Sequence, residues 1–342
     1  MNLEVFEIIR LLTLTTVAFV VAMLLTPVLT KVLYRFKLGK QIRDEASAPI
    51  MAKLHAKKAG TPTMGGVIIW GTVLLLAVVF SFYKPLDFIT RSETLLPLGA
   101  LVASALVGLV DDYFNVRKIG PHGGGLRMRH RLLIYTAIAA IAAGWFFFKL
   151  DWDLIHVPFF GDFFLGWWYI PVFLFIIVAT SFSVNQTDGL DGLAGGTLLT
   201  SFGAYGAIAF LLGKYDLAAF CAVIIGALLA FLWFNIFPAR FFMGDTGSMS
   251  LGVTLGIIAM LTNQVLLLPI IGSIFVIEAL STILQLSSKK IFKRKIFLSS
   301  PIHHHLEAIG WPEPKIVMRF WVISIVSGTL GLAIALLDHA FS

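Results

Sequence analysis

Apolar runs of membrane length recur along nearly the whole chain, and the segments between them are short and rich in Gly, Asp, Lys and His. At about 20 apolar residues per crossing, the pattern predicts ten helices, near 11–34, 64–83, 95–111, 131–149, 167–185, 193–212, 217–237, 248–263, 265–288 and 317–339. One stretch breaks the rhythm. From His156 to Trp168 a Gly161-Asp162 turn sits between aromatic pairs, which reads as a short hairpin at the membrane surface near residues 157–166, with Trp167 and Trp168 in the interfacial belt. The first apolar stretch, Leu11 to Tyr34, is longer than the apolar part of a signal peptide and lacks a small-residue cleavage site, so it is expected to stay as a helix. The expected fold is therefore all-α and integral to the membrane, with a single polytopic domain over residues 1–342.

Composition agrees with that pattern and removes other classes. With 58% hydrophobic and 13% charged residues, the chain has too little polar surface to cover an ordinary soluble domain. Its one cysteine, Cys221, lies inside an apolar run, so neither a disulfide framework nor a thiolate metal site is available. The net charge of +7 does not imply nucleic acid, because in a membrane protein the distribution of charge carries more information than its sum. Of the 26 Lys and Arg residues, only Arg10, Lys84, Arg91, Lys149 and Lys214 fall on one side of the predicted topology. The others lie in Lys31–Lys58, Arg117–Arg131, Arg240 and Lys289–Arg319, which the positive-inside rule makes cytoplasmic. Ten crossings then leave both termini outside and five loops inside.

Those five loops hold the chemistry. The first ends in GTPTMGG, where small residues let backbone N–H groups approach an anion and Lys58 and Thr63 add a charge and a hydroxyl. A glycine-rich helix start with a solvated basic flank is the alternative. The third predicted helix ends in Asp111-Asp112, whose side chains point about 100° apart and so take different roles. Acids there oppose the helix macrodipole, which asks for a compensating reason. The fifth runs into Asn185-Gln-Thr-Asp188-Gly-Leu-Asp191-Gly, a glycine-flanked pair of acids without the ligand spacing of a calcium loop. Asn235 and the string Phe242-Met-Gly-Asp245 follow the seventh, with Phe241 or Phe242 available to stack on a ring. The last loop carries His303-His304-His305, three neighbours that cannot all converge on one ion. Carboxylates, amides and hydroxyls without thiols select a hard cation such as Mg2+. The combination points to metal-assisted phosphoryl transfer between a soluble nucleotide and a membrane lipid phosphate.

The strings GTPTMGG, DDY, NQTDGLDGLAGG, FMGDTGSMSLG and PIHHHLEAIGWPEPKIVMRFW, in this order from about residue 40 onward, resemble the phospho-N-acetylmuramoyl-pentapeptide transferases. These form one branch of the polyprenyl-phosphate N-acetylhexosamine-1-phosphate transferase superfamily. The resemblance implies transfer of phospho-MurNAc-pentapeptide from UDP-MurNAc-pentapeptide to undecaprenyl phosphate, giving lipid I and UMP, in a bacterial cytoplasmic membrane with the active site facing the cytoplasm. It implies Mg2+ on Asp245, the lipid phosphate beside Asp111 and Asp112, and a catalytic histidine motif at His303. It also implies substrate contacts from Lys58, Thr63, Asn185, Asp188, Asp191, Asn235, Phe242, Arg131, His304 and His305, and it suggests a homodimer. The chain departs from the family pattern at Asn115, where a lysine is usual, and at Phe182, where an asparagine is expected. Arg131 stands where a lysine is usual, and Asp44 to Leu54 is longer than usual. A GlcNAc-1-phosphate transferase is the nearest alternative. A transporter is a more distant one, for which Glu278 would be the candidate midplane group; a structural partner or inner-leaflet role suits Glu278 better.

Overall fold

The structure is a computed structural model, and it describes residues 3–39, 58, 60–90, 93–120 and 124–341. The segment Asp44 to Leu54, expected to be unusually long, lies outside the described residues. The long helices are α1 (Leu3–Arg35), α2 (Val67–Phe80), α3 (Leu95–Val116) and α4 (Met128–Lys149). After the hairpin β1 (Leu154–Val157) and β2 (Gly161–Phe164) come α5 (Tyr169–Thr187), α6 (Leu193–Leu211), α7 (Tyr215–Asn235) and α8 (Asp245–Leu261). The chain closes with α9 (Leu268–Ile271), α10 (Ser273–Ile291), α11 (Ile302–Ala308) and α12 (Glu313–Phe341).

Every predicted apolar run forms helix, but the runs are not equal. Among the described residues, seven helices are long and apolar enough to cross a membrane, and an eighth span results if Val265–Ile271 and Ser273–Ile291 are counted together across their 81° bend. The remaining two, α2 with 14 residues and α8 with 17, are shorter. At 1.5 Å per residue α8 is about 25 Å long, less than the hydrocarbon thickness of a typical bilayer. Its position explains how so short a helix fits: every residue from Thr246 to Leu261 is buried, with α3 and α5 packed along it. Lipid therefore does not set its length; its neighbours do.

Close approach of these helices depends on small residues, the usual means of packing where lipid and side chains are equally apolar. A β-carbon on Gly108 of α3 would lie 2.5 Å from the Asp245 carbonyl oxygen, so α3 meets the first turn of α8 there only because Gly108 has no side chain. Around this centre, α1 packs on α7, α7 on α6, and α6 on α12.

The hairpin takes the expected position between α4 and α5, in antiparallel register with His156 opposite Asp162. It is tied down by charge. His156 Nδ1 lies 2.8 Å from Asp162 Oδ1 and Nε2 lies 2.7 Å from Asp338 Oδ2, near the end of α12. The Phe159 amide donates to Asp338 Oδ1 at 2.6 Å. Partial burial opposes protonation of His156, but the two carboxylates together outweigh it and hold the imidazole pKa above its ordinary value. The sign follows from linkage: a raised folded pKa means this clamp stabilises fully below the unfolded value near 6.5 and is lost as pH rises through the folded one. The melting temperature of the wild type is thus expected to fall as pH rises through that window. In His156→Gln this component of the fall should vanish; an identical pH dependence in both proteins would refute the clamp.

Candidate active site

The first turn of α8 organises the site. Its N-cap is Gly244, at φ +75°, which carries no side chain to accept the free backbone N–H groups. A β-carbon there would also fall 2.4 Å from Asp112 Oδ2. The acceptor comes instead from α3: Asp112 Oδ1 takes the Asp245 N–H and Oδ2 takes the Thr246 N–H, both at 3.1 Å. Asp112 is thus badly placed for the dipole of its own helix and well placed for that of α8. The Thr63 hydroxyl lies 3.5 Å from Asp112 Oδ1, so Thr63 joins this cap.

Asp111, one residue earlier, faces elsewhere. It accepts the Leu126 amide and pairs with Arg131 at the start of α4. The same guanidinium reaches Asp245 Oδ2 at 2.8 Å, while Asp245 Oδ1 accepts from the Asn185 side-chain amide at 2.8 Å. Asn185 also reaches the Ser248 hydroxyl at 3.0 Å. Two carboxylates from different helices therefore share one cation, with an amide fixing the outer oxygen of the second. Beside Arg131 a narrow crevice continues between α4 and α5, lined by Leu132, Tyr135, Val178 and Phe182. Phe182 makes its wall apolar at a position where an asparagine was expected.

A second charged cluster lies across the α5–α6 connection. Lys58 Nζ is 2.7 Å from Asp191 Oδ1 and 2.5 Å from Glu313 Oε1, with Phe237 and Phe242 about 6 Å away at 6.0 and 5.9 Å from their ring centroids. Asp191 Oδ2 accepts the Ala239 amide at 3.0 Å, and the Asp191 amide itself donates to Glu313. Asn235 joins two loops through backbone contacts, accepting from the Gly192 N–H at 2.9 Å and donating to the Phe241 carbonyl at 2.8 Å. Phe241 is fully buried among Phe231 and Phe234, which leaves the half-buried Phe242 as the ring able to meet a ligand. The GTPTMGG segment is laced to the Phe242 segment by Phe242 N–H to the Pro62 carbonyl, Gly65 N–H to the Phe242 carbonyl and Gly66 N–H to the Met243 carbonyl.

The histidines diverge, each to its own partner. His303 Nδ1 faces Glu278 Oε2 at 2.8 Å, His304 Nδ1 faces Glu307 Oε2 at 2.7 Å, and His305 Nδ1 accepts the Leu298 amide at 3.3 Å. Among the described residues no group of three His, Cys, Asp or Glu side chains is arranged to hold a metal ion. The oxygen donors nevertheless suit a hard cation that takes one or two carboxylates and fills its other positions with water and phosphate. Asp245 and Asp111 provide two carboxylates, with the Arg131 guanidinium between them.

The structure brings Lys58, Thr63, Asp111, Asp112, Arg131, Asn185, Asp191, Asn235, Phe242 and Asp245 together at adjoining helix ends and loops, and Asp188 opens the turn that links the two charged clusters. His303 borders that turn, and the His304 and His305 rings are engaged as above. Glu313 was not anticipated. Its only signal in the sequence was an acid between two prolines directly after the histidine helix.

Residues 94–263 match the model of glycosyl transferase family 4, and residues 58–69 match phospho-N-acetylmuramoyl-pentapeptide-transferase signature 1. The chain is 40% identical over 341 residues to the phospho-N-acetylmuramoyl-pentapeptide-transferase of Chloroflexus aurantiacus, covering 96% of this chain and 90% of that protein. The proteins of the same name from Geobacillus thermodenitrificans and Bacillus subtilis are each 40% identical, over 93% and 92% of this chain and 95% of their own length.

Asp112→Ala strips the acceptor from the buried Thr246 amide and the part-buried Asp245 amide, and a buried amide left unpaired costs about 1–3 kcal/mol. The purified variant is expected to melt several degrees below wild type. Asp245→Asn, which keeps size and an acceptor, should melt close to wild type. Equal melting of all three would refute the capping role.

Proposed function

Because this chain belongs to the phospho-N-acetylmuramoyl-pentapeptide-transferase family, we propose that the two charged clusters are the acceptor and donor sides of one phosphoryl-transfer site. The protein transfers phospho-MurNAc-pentapeptide from UDP-MurNAc-pentapeptide to undecaprenyl phosphate, yielding lipid I and UMP for peptidoglycan synthesis. An oxygen of the lipid phosphate attacks the sugar-linked phosphorus of the donor. The anhydride bond breaks and its electron pair leaves with UMP. One diphosphate linkage replaces another, so no nucleotide triphosphate is consumed.

The observation that carries this reading is the Arg131 guanidinium held between Asp111 and Asp245 at the start of α8. It marks a place built around positive charge between two carboxylates, which is what a diphosphate and its counter-cation require. Asp245 would hold Mg2+, which when bound neutralises the charge that develops on the departing phosphate. Asp111 takes the proton of the lipid phosphate and aims it. Asn185 orients Asp245. Arg131 turns from the carboxylates to the phosphates. On the donor side, Lys58 leaves Asp191 or Glu313 to pair with the nucleotide phosphate, and Phe242 stacks on the uracil.

The orientation belongs to the same proposal: ten crossings, both termini outside, and the site open to the cytoplasm, where nucleotide sugars are made. It rests on the skew of Lys and Arg toward one set of loops. The family resemblance extends it to a homodimer in the bacterial inner membrane.

Purified protein with Mg2+ should release UMP from UDP-MurNAc-pentapeptide only when a polyprenyl phosphate is supplied, with UDP-GlcNAc a poor substitute. Asp245→Asn is expected to slow release by about 10²–10³-fold, the usual size when an electrostatic group of the transition state is removed. UMP release without the lipid, or equal use of both donors, would contradict the assignment.

A further inference from the structure

Glu278 and His303 form a pair that the transfer chemistry above does not use. Both are fully buried, Glu278 on α10 and His303 on α11, with Oε2 and Nδ1 2.8 Å apart. The other polar atom of each, Glu278 Oε1 and His303 Nε2, is buried with no hydrogen-bond partner. A pair kept only to join two helices would be served as well by apolar side chains, because burying charge is costly and unpaired polar atoms add to the cost. The direction of the unpaired nitrogen suggests another use. A β-carbon on Gly189 would lie 2.1 Å from His303 Nε2, so that edge of the ring rests directly on the turn between Asp188 and Asp191.

Neighbouring bonds keep the ring from turning. The Ile302 amide at the start of α11 donates to the Ser281 hydroxyl at 2.9 Å, and Ser281 donates to the Glu278 carbonyl at 2.7 Å. The His304 ring packs against His303 with centroids 4.1 Å apart. A carboxylate on Nδ1 selects the tautomer with the proton there and leaves Nε2 as the nitrogen that meets a ligand.

The geometry points to Glu278 as a positioning residue: it sets the tautomer and direction of His303, whose Nε2 gains its hydrogen bond from the UDP-linked donor when the Asp188–Asp191 turn receives that substrate. The inference rests on the assignment of this turn to the donor side. Gly189 is then glycine because any side chain would displace the imidazole. Glu278 touches no substrate and acts through His303.

The test is steady-state UMP release by the full-length protein, with donor and lipid phosphate varied separately, for wild type, Glu278→Gln, His303→Gln and the double variant. Glu278→Gln keeps shape and an acceptor but loses the charge. It is expected to raise KM for the donor about tenfold while KM for the lipid phosphate changes less than about twofold, in keeping with loss of a partner that orients a ligand-binding imidazole. The double variant should be no worse than His303→Gln alone, since the two residues act as one unit. A purely structural pair would shift both KM values together or neither, and either result overturns the inference. If Glu278→Gln melts early, the double variant, with two amides in place of the charged pair, must still show the donor-selective rise; its absence overturns the inference as well. A wild type without turnover would instead overturn the transferase reading itself.

Discussion

The arrangement depends on one contact, the Asp112 carboxylate bound to the two leading amides of α8. The residues of this helix from Thr246 onward are all buried, and Gly244 has no side chain to accept its leading N–H groups. Asp112 supplies both acceptors from a neighbouring helix. In doing so it fixes where Asp245 sits relative to Asp111, since the acids occupy consecutive positions on α3. The double-aspartate string is therefore a division of labour: one carboxylate holds the scaffold and the other faces the charge centre.

Around this contact the positive groups are already matched. Arg131 sits between Asp111 and Asp245, and Lys58 sits between Asp191 and Glu313. In a partly dry setting an unpaired guanidinium or ammonium would be costly, so each cation waits on carboxylates until anionic substrate arrives. In the proposed mechanism, phosphates would compete for cations that are already in position, and the carboxylates released would become available to a divalent ion.

Much of this was legible in the sequence because its causes are local. Apolar runs declare helices wherever lipid or a dry core surrounds them, and the Gly161-Asp162 turn between aromatic pairs declared the hairpin. The divergence of three adjacent histidines followed from backbone geometry alone. Other features are long-range and left little trace. Nothing in the apolar length of residues 248–263 distinguished a helix enclosed by α3 and α5 from one facing lipid, and the break at Gly272 interrupts no hydrophobic run. The acid of the Trp-Pro-Glu-Pro string gave no hint that Glu313 would hold a lysine 255 positions away. The pairing of Glu278 with His303 was equally silent, because each residue is ordinary within its own segment.

The central claim is that Arg131 marks the place of the diphosphate and its cation between Asp111 and Asp245. A structure of the protein with Mg2+ and the UDP-linked donor bound tests it most directly. The cation should lie on Asp245, with the Arg131 guanidinium turned onto a phosphate oxygen and Asp112 still capping α8. A cation and diphosphate bound elsewhere, with Arg131 still bridging the two carboxylates, would contradict the account.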